Sequence, residues 1–137
     1  MTLDPSTLDP ATLPASAELN ALIAEWCEWE LIGYNGDDAI WEDNEGTIVW
    51  NGPFRPSTNP AHAGEARRQA CASQVHQEGY GAVMVHIQTS VPPWPGAGSY
   101  YSGYCDCAET TGDKGKAEAL ATCRAIAAAA KARKHNV

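Results

Sequence analysis

From Ser16 onward the apolar residues switch between two periods. Leu19, Leu22, Ile23 and Trp26 fall at i, i+3, i+4 and i+7 behind Ser16 as a cap and Glu18 in the first turn, the pattern of a short amphipathic helix. Residues 28–34, 39–42 and 47–50 are then short runs rich in Trp, Ile, Val and Tyr. Asn35-Gly36-Asp37-Asp38 and Asp43-Asn44-Glu45-Gly46 separate them and supply the Gly and Asn that turns need at positive φ. A meander of three antiparallel strands is expected. The prolines of residues 52–60 exclude regular structure until Thr58 or Asn59 caps a helix with Pro60 in its first turn. Ala63, Ala66, Arg67, Ala70, Cys71, Gln74 and Val75 hold helical spacing, which predicts a helix running to Gln77, ahead of Gly79.

Strict alternation follows. Val83, Val85 and Ile87 oppose Met84, His86 and Gln88, and Tyr101, Gly103, Cys105 and Cys107 oppose Tyr100, Ser102, Tyr104 and Asp106, giving two strands joined by the loop of residues 91–98. Thr111 or Asp113 caps a last helix over about residues 114–133, with Ala117, Leu120, Ala121, Ile126 and Ala127 on its core face. The predicted order is α-β-β-β-α-β-β-α. It reads as an α+β fold: an antiparallel sheet of about five strands carrying three helices, an α-β-α sandwich.

A chain of 137 residues, 44% hydrophobic, has room for one core and not for two. The domain is expected to span residues 16–137. Residues 1–15 carry three prolines and the near-repeats Thr2-Leu3-Asp4-Pro5 and Thr7-Leu8-Asp9-Pro10, and read as a flexible Pro-rich arm. The alternative is that Leu3, Leu8 and Leu13 dock on the domain or on a neighbouring subunit.

Charge narrows the function classes. Seventeen acidic residues against nine basic ones leave a net charge of -8, which opposes direct nucleic-acid binding. The acids concentrate toward the first half, whereas the last helix ends basic at Lys131, Arg133 and Lys134, as its dipole favours. No stretch has the length and apolarity of a membrane span or a signal peptide. Cys27, Cys71, Cys105, Cys107 and Cys123 are odd in number and are read as reduced, buried thiols. Cys105-Asp106-Cys107 has one spacer residue and no second ligand pair, so no metal site is assigned.

No nucleophile motif, metalloprotease motif or Gly-rich phosphate loop is present, and the chain reads as a non-enzyme without a cofactor. Its rings are the more informative feature. Five Trp and five Tyr stand beside one Phe, an excess of aromatics with polar handles suited to pockets and interfaces. Trp94, set between prolines, with Tyr100, Tyr101 and Tyr104, is the candidate binding surface. Were the ligand a small nucleotide signal, Arg55, Arg67 and Arg68 are the candidates to face its phosphates.

The leading helix ending in Trp26, the Trp-containing short strands, Pro56-Ser57-Thr58-Asn59 opening an alanine-rich helix, the strand around Val83–Ile87 and Ala119-Leu120-Ala121-Thr122-Cys123-Arg124-Ala125 together carry a resemblance. Over roughly residues 19–131 the chain resembles the phage ABA-sandwich family, with Asn59 where that family usually places an acidic cap. The resemblance implies a small α-β-α fold of phage or prophage origin, with no functional residue to carry over. The expected function is that of a phage accessory protein in the host cytoplasm. It would bind and inhibit a host protein, such as a defence nuclease, in the manner of an anti-CRISPR, because an acidic surface can occupy a groove built for nucleic acid. The alternatives are sequestration of a small nucleotide signal and a structural or homo-oligomeric phage protein.

Overall fold

Ser16 Oγ accepts the Leu19 N–H at 3.0 Å and starts α1 (Ala17–Trp26), which buries Leu19, Leu22, Ile23 and Trp26 on the stripe their spacing defines. In the computed structural model, residues 7, 9–27, 29–36, 38–42, 48–51, 54–68, 72–78, 81–89 and 99–135 are described. After α1 come β1 (Glu30–Asn35), β2 (Asp38–Glu42) and β3 (Ile48–Asn51), then α2 (Pro60–Arg67), β4 (Ala72–Glu78), β5 (Ala82–Thr89) and β6 (Ser99–Asp106). A 3-10 turn (Cys107–Thr110) leads into α3 (Lys114–His135). The class is α+β with three α-helices and antiparallel strands, as the patterning indicates.

The sheet is not single. Two three-stranded antiparallel sheets form, ordered β1-β2-β3 and β4-β5-β6, in place of the expected sheet of five. The extra strand lies in the second sheet. β4 pairs with β5 at seven positions, from Ala72 opposite Gln88 to Glu78 opposite Ala82, while β6 takes the other side of β5. Among the described residues the first meander pairs with none of these three strands.

β4 also corrects the second helix. Only Pro60–Arg67 is helical, and residues 72–78, read as its continuation, are strand. The cap is as expected, with Asn59 Oδ1 accepting the N–H groups of Ala61 at 2.9 Å and His62 at 3.4 Å. What ends the helix early is the ladder with β5, the next strand along the chain, whose pairing outweighs the weak helical propensities of Ser73, Gln74, Val75 and His76.

Helix α3 organises the rest, lying on β5 and β6 and touching α2 and α1. Val83, Val85, Ile87, Gly103 and Cys105 are buried beneath it, as the alternation requires. The approach is closest at Gly103, where a methyl group would overlap the backbone of Ala121 and Ala125. The first meander joins the same core through Trp41 of β2 and through Trp29 just ahead of β1, with the Trp29 and Phe54 ring centroids 4.9 Å apart. The folded unit begins ahead of the Ser16 boundary, because Leu13 is buried in that core.

Gly103→Ala is expected to lower stability by about 1–3 kcal/mol, since the helix must lift off the strand to admit the methyl. Gly81→Ala, in open space, serves as the control and should leave the urea midpoint nearly unchanged.

Candidate functional site

The alanine face of α3 carries one residue of the wrong chemistry. Arg124 stands at i+7 from Ala117 and i+4 from Leu120, on the apolar stripe, and is only 3% exposed. Its guanidinium is satisfied on several sides. Nε donates to the Leu13 carbonyl at 2.9 Å and Nη1 to the Tyr104 carbonyl at 2.8 Å. Nη1 and Nη2 also form a bidentate pair with the Glu109 carboxylate at 3.1 and 2.9 Å. Glu109 is held in turn by the capping box of the 3-10 turn, where it accepts the Asp106 N–H at 3.1 Å. Hydrogen bonds from Arg124 hold the Glu109 carboxyl down at about 2, against the opposing effect of its partial burial.

Above this pair lies a cleft of about 360 Å³, walled by Thr12, Pro14, Thr58, Thr111 and Lys116. Lys116 offers a cation at the rim. The arginine at the floor is committed to Leu13, Tyr104 and Glu109, so the cleft is first a by-product of the clasp that joins four chain segments.

The aromatic candidates divide. Trp94 lies outside the described residues, as does the rest of its loop. Tyr101 stands opposite Ile87 and packs against the core, whereas Tyr104 stands opposite Met84 on the other face and is exposed. Tyr100 stands opposite Gln88 in the ladder. The arginine candidates also part company. Arg67 donates to Thr122 Oγ1 at 2.8 Å, Arg68 pairs with Glu65 at 3.0 Å, and Arg55 is exposed. The first two guanidiniums serve separate intramolecular partners.

His86 Nδ1 lies 2.6 Å from Ser102 Oγ on the outer face of β5 and β6, a base beside a hydroxyl. Burial pushes the Cys27 thiol up to about 12 and Cys105 to about 11, aided by Glu65 and Glu109 respectively, and raises Cys123 as well. All three are protonated at neutral pH and poor nucleophiles. Among the described residues, no group of His, Cys, Asp and Glu could hold a metal ion, and no helix is long and apolar enough to cross a membrane.

The surface that stands out is β1. Leu31, Ile32 and Tyr34 are 42%, 47% and 66% exposed, on a strand at the edge of its sheet. Local structure explains why. The ladder to β2 shifts between Leu31 and Gly33, leaving Ile32 without an opposite residue, and a bulge of this kind breaks the alternation of faces. Acids are frequent in the sequence around this strand. All eleven acidic residues up to Phe54 occur without one Lys, Arg or His, whereas residues 55–137 hold six acids and all nine Lys and Arg. Spacing alone does not single out Leu31, Ile32 and Tyr34, although the adjacent Leu31-Ile32 pair is a visible fault in the alternation.

Arg124→Ala should cost about 3 kcal/mol, toward the low end for a buried pair because Glu109 is half exposed and can turn to water. Glu109→Gln should show the pH signature. Folding lowers the carboxyl from 4.5 to about 2, so its stabilisation is complete above pH 4.5 and is lost as the pH falls from there toward 2. Urea midpoints of the two proteins should therefore differ most near neutrality and converge in acid. Comparison with known proteins adds no relative to these surfaces: no family model, no curated protein and no solved structure matches the chain.

Proposed function

We propose that this chain is a non-enzymatic protein that binds and inhibits another protein by covering a basic, nucleic-acid-type groove with its acidic N-terminal half. The observation that carries the reading is the segregation of charge. The stretch up to Phe54, which forms α1 and the first sheet, contains eleven acids and no base. A face of one sign raises the association rate with a face of the other and repels nucleic acid from the same groove. The resemblance to the phage ABA-sandwich family makes a host defence nuclease the natural target class, with the host cytoplasm as the setting.

The cleft beside Arg124 favours a second reading, sequestration of a small anionic ligand. Its volume of about 360 Å³ is near the lower end for ligand sites. The described rings do not line it, however, and neither do Arg55, Arg67 and Arg68. Stacking and phosphate contact as pictured from the sequence would have to come from elsewhere, and the protein-binding reading is preferred.

Immobilised full-length chain, exposed to bacterial lysate at low salt, should retain basic nucleic-acid-binding proteins that elute on raising the ionic strength. Captured nucleases should lose activity when the chain is added back. Retention no greater than on a charge-neutral control protein, or full nuclease activity in the chain's presence, would sink the reading.

A further inference from the structure

We infer that the outer edge of β1 is a docking site for a basic, extended segment of the partner protein, which adds to the first sheet as a fourth strand. This rests on the protein-binding reading above and names its mode of contact.

Three observations converge. First, β1 is hydrogen-bonded to β2 in the order β1-β2-β3, so among the described residues one side of its backbone is an edge, where N–H and C=O groups can accept another strand. Second, of the five large hydrophobic side chains exposed among the described residues, three are Leu31, Ile32 and Tyr34 of this strand. Their clustering gives an incoming strand apolar surface as well as a ladder. Third, the strand reads Glu-Leu-Ile-Gly-Tyr-Asn and carries neither the lysine nor the proline that commonly protects an edge. The bulge is its one protective device, and its twist limits the added strand to a short segment.

Charge selects the occupant. Glu30 is the first residue of the strand and Asp38 the first of β2, and the sequence has further acids at positions 28 and 37. A second copy laid along the same edge would bring these acids against their equivalents, which disfavours a homodimer there. A segment alternating Lys or Arg with Val, Ile or Leu meets both demands at once. Its apolar side chains cover Leu31, Ile32 and Tyr34, and its cations face Glu30 and its neighbours.

The test uses full-length protein and three labelled peptides: alternating Lys-Val, a version of equal charge interrupted by proline, and alternating Glu-Val. Fluorescence anisotropy should show the Lys-Val peptide binding at least tenfold more tightly than the proline-interrupted one, with no binding of Glu-Val. Amides of β1 should gain protection from hydrogen exchange when Lys-Val is added. Ile32→Asp and Tyr34→Asp, both at exposed positions, should each weaken Lys-Val binding about tenfold although they add negative charge. Circular dichroism verifies that they fold. Equal binding of both basic peptides, unchanged in the Asp variants, would overturn strand addition and leave the acidic-face reading standing. Failure of both basic peptides to bind would overturn the two together, and binding of Glu-Val as tight as Lys-Val would overturn the selection for a basic segment.

Discussion

The guanidinium of Arg124 ties together four segments that are distant in the sequence. A helix of alanines has little side-chain area with which to grip its neighbours, and α3 is such a helix, yet it lies at the centre of the molecule. Arg124 supplies directional bonds where apolar area is short. It ties the helix to the backbone of Leu13, the backbone of Tyr104 and the carboxylate of Glu109. The arginine is costly to bury, and that cost is offset because two of its three partners are already fixed by other structure. Tyr104 is in a ladder, and Glu109 is locked by a capping box. A lysine could not reproduce this, having no planar fork to match a carboxylate while reaching two carbonyls.

The same poverty of side-chain volume makes the close approach at Gly103 possible. Small residues on α3 let its backbone descend onto β6 until no room remains for a Cβ. Close backbone packing raises contact density without large side chains, and the arginine clasp fixes the helix beside that contact. The clasp also recruits the chain ahead of α1. Ser57 extends this zone, donating from its backbone N–H and its hydroxyl to Asn20 Oδ1 at 2.9 and 2.8 Å. The Pro56-Ser57-Thr58-Asn59 run thus works at both ends, holding α1 through Ser57 and capping α2 through Asn59.

How far the sequence carries depends on whether energy is local. Helix α1, the first meander and the alternating faces of β5 and β6 were legible, because caps, turn glycines and periodicity are written within a few residues. Gly36, at φ +67°, sits in the turn where positive φ was expected. Residues 72–78 were not legible, since their apolar content fits a helix nearly as well as a strand, and only the partner β5 decides. The division into two sheets is invisible for the same reason. Arg124 did leave a signal, a lone charge on the apolar stripe of an alanine helix, but its partners lie 15, 20 and 111 residues away.

The candidate surface was half legible, and the reason bears on function. Net charge of -8 describes no region of this molecule. The stretch up to Phe54 is acidic and the rest of the chain slightly basic in sequence. Aromatic content drew attention to β6, where Tyr101 turns inward to the core and Tyr104 outward. The exposed apolar residues that coincide with the acids are instead on β1, put there by a bulge that no period predicts. An apolar edge set in a negative field discriminates in a way neither feature does alone. On the proposed reading, that field repels copies of itself and nucleic acid, while the edge rewards a partner able to supply a strand. Such a combination is selective at the level of both sign and shape.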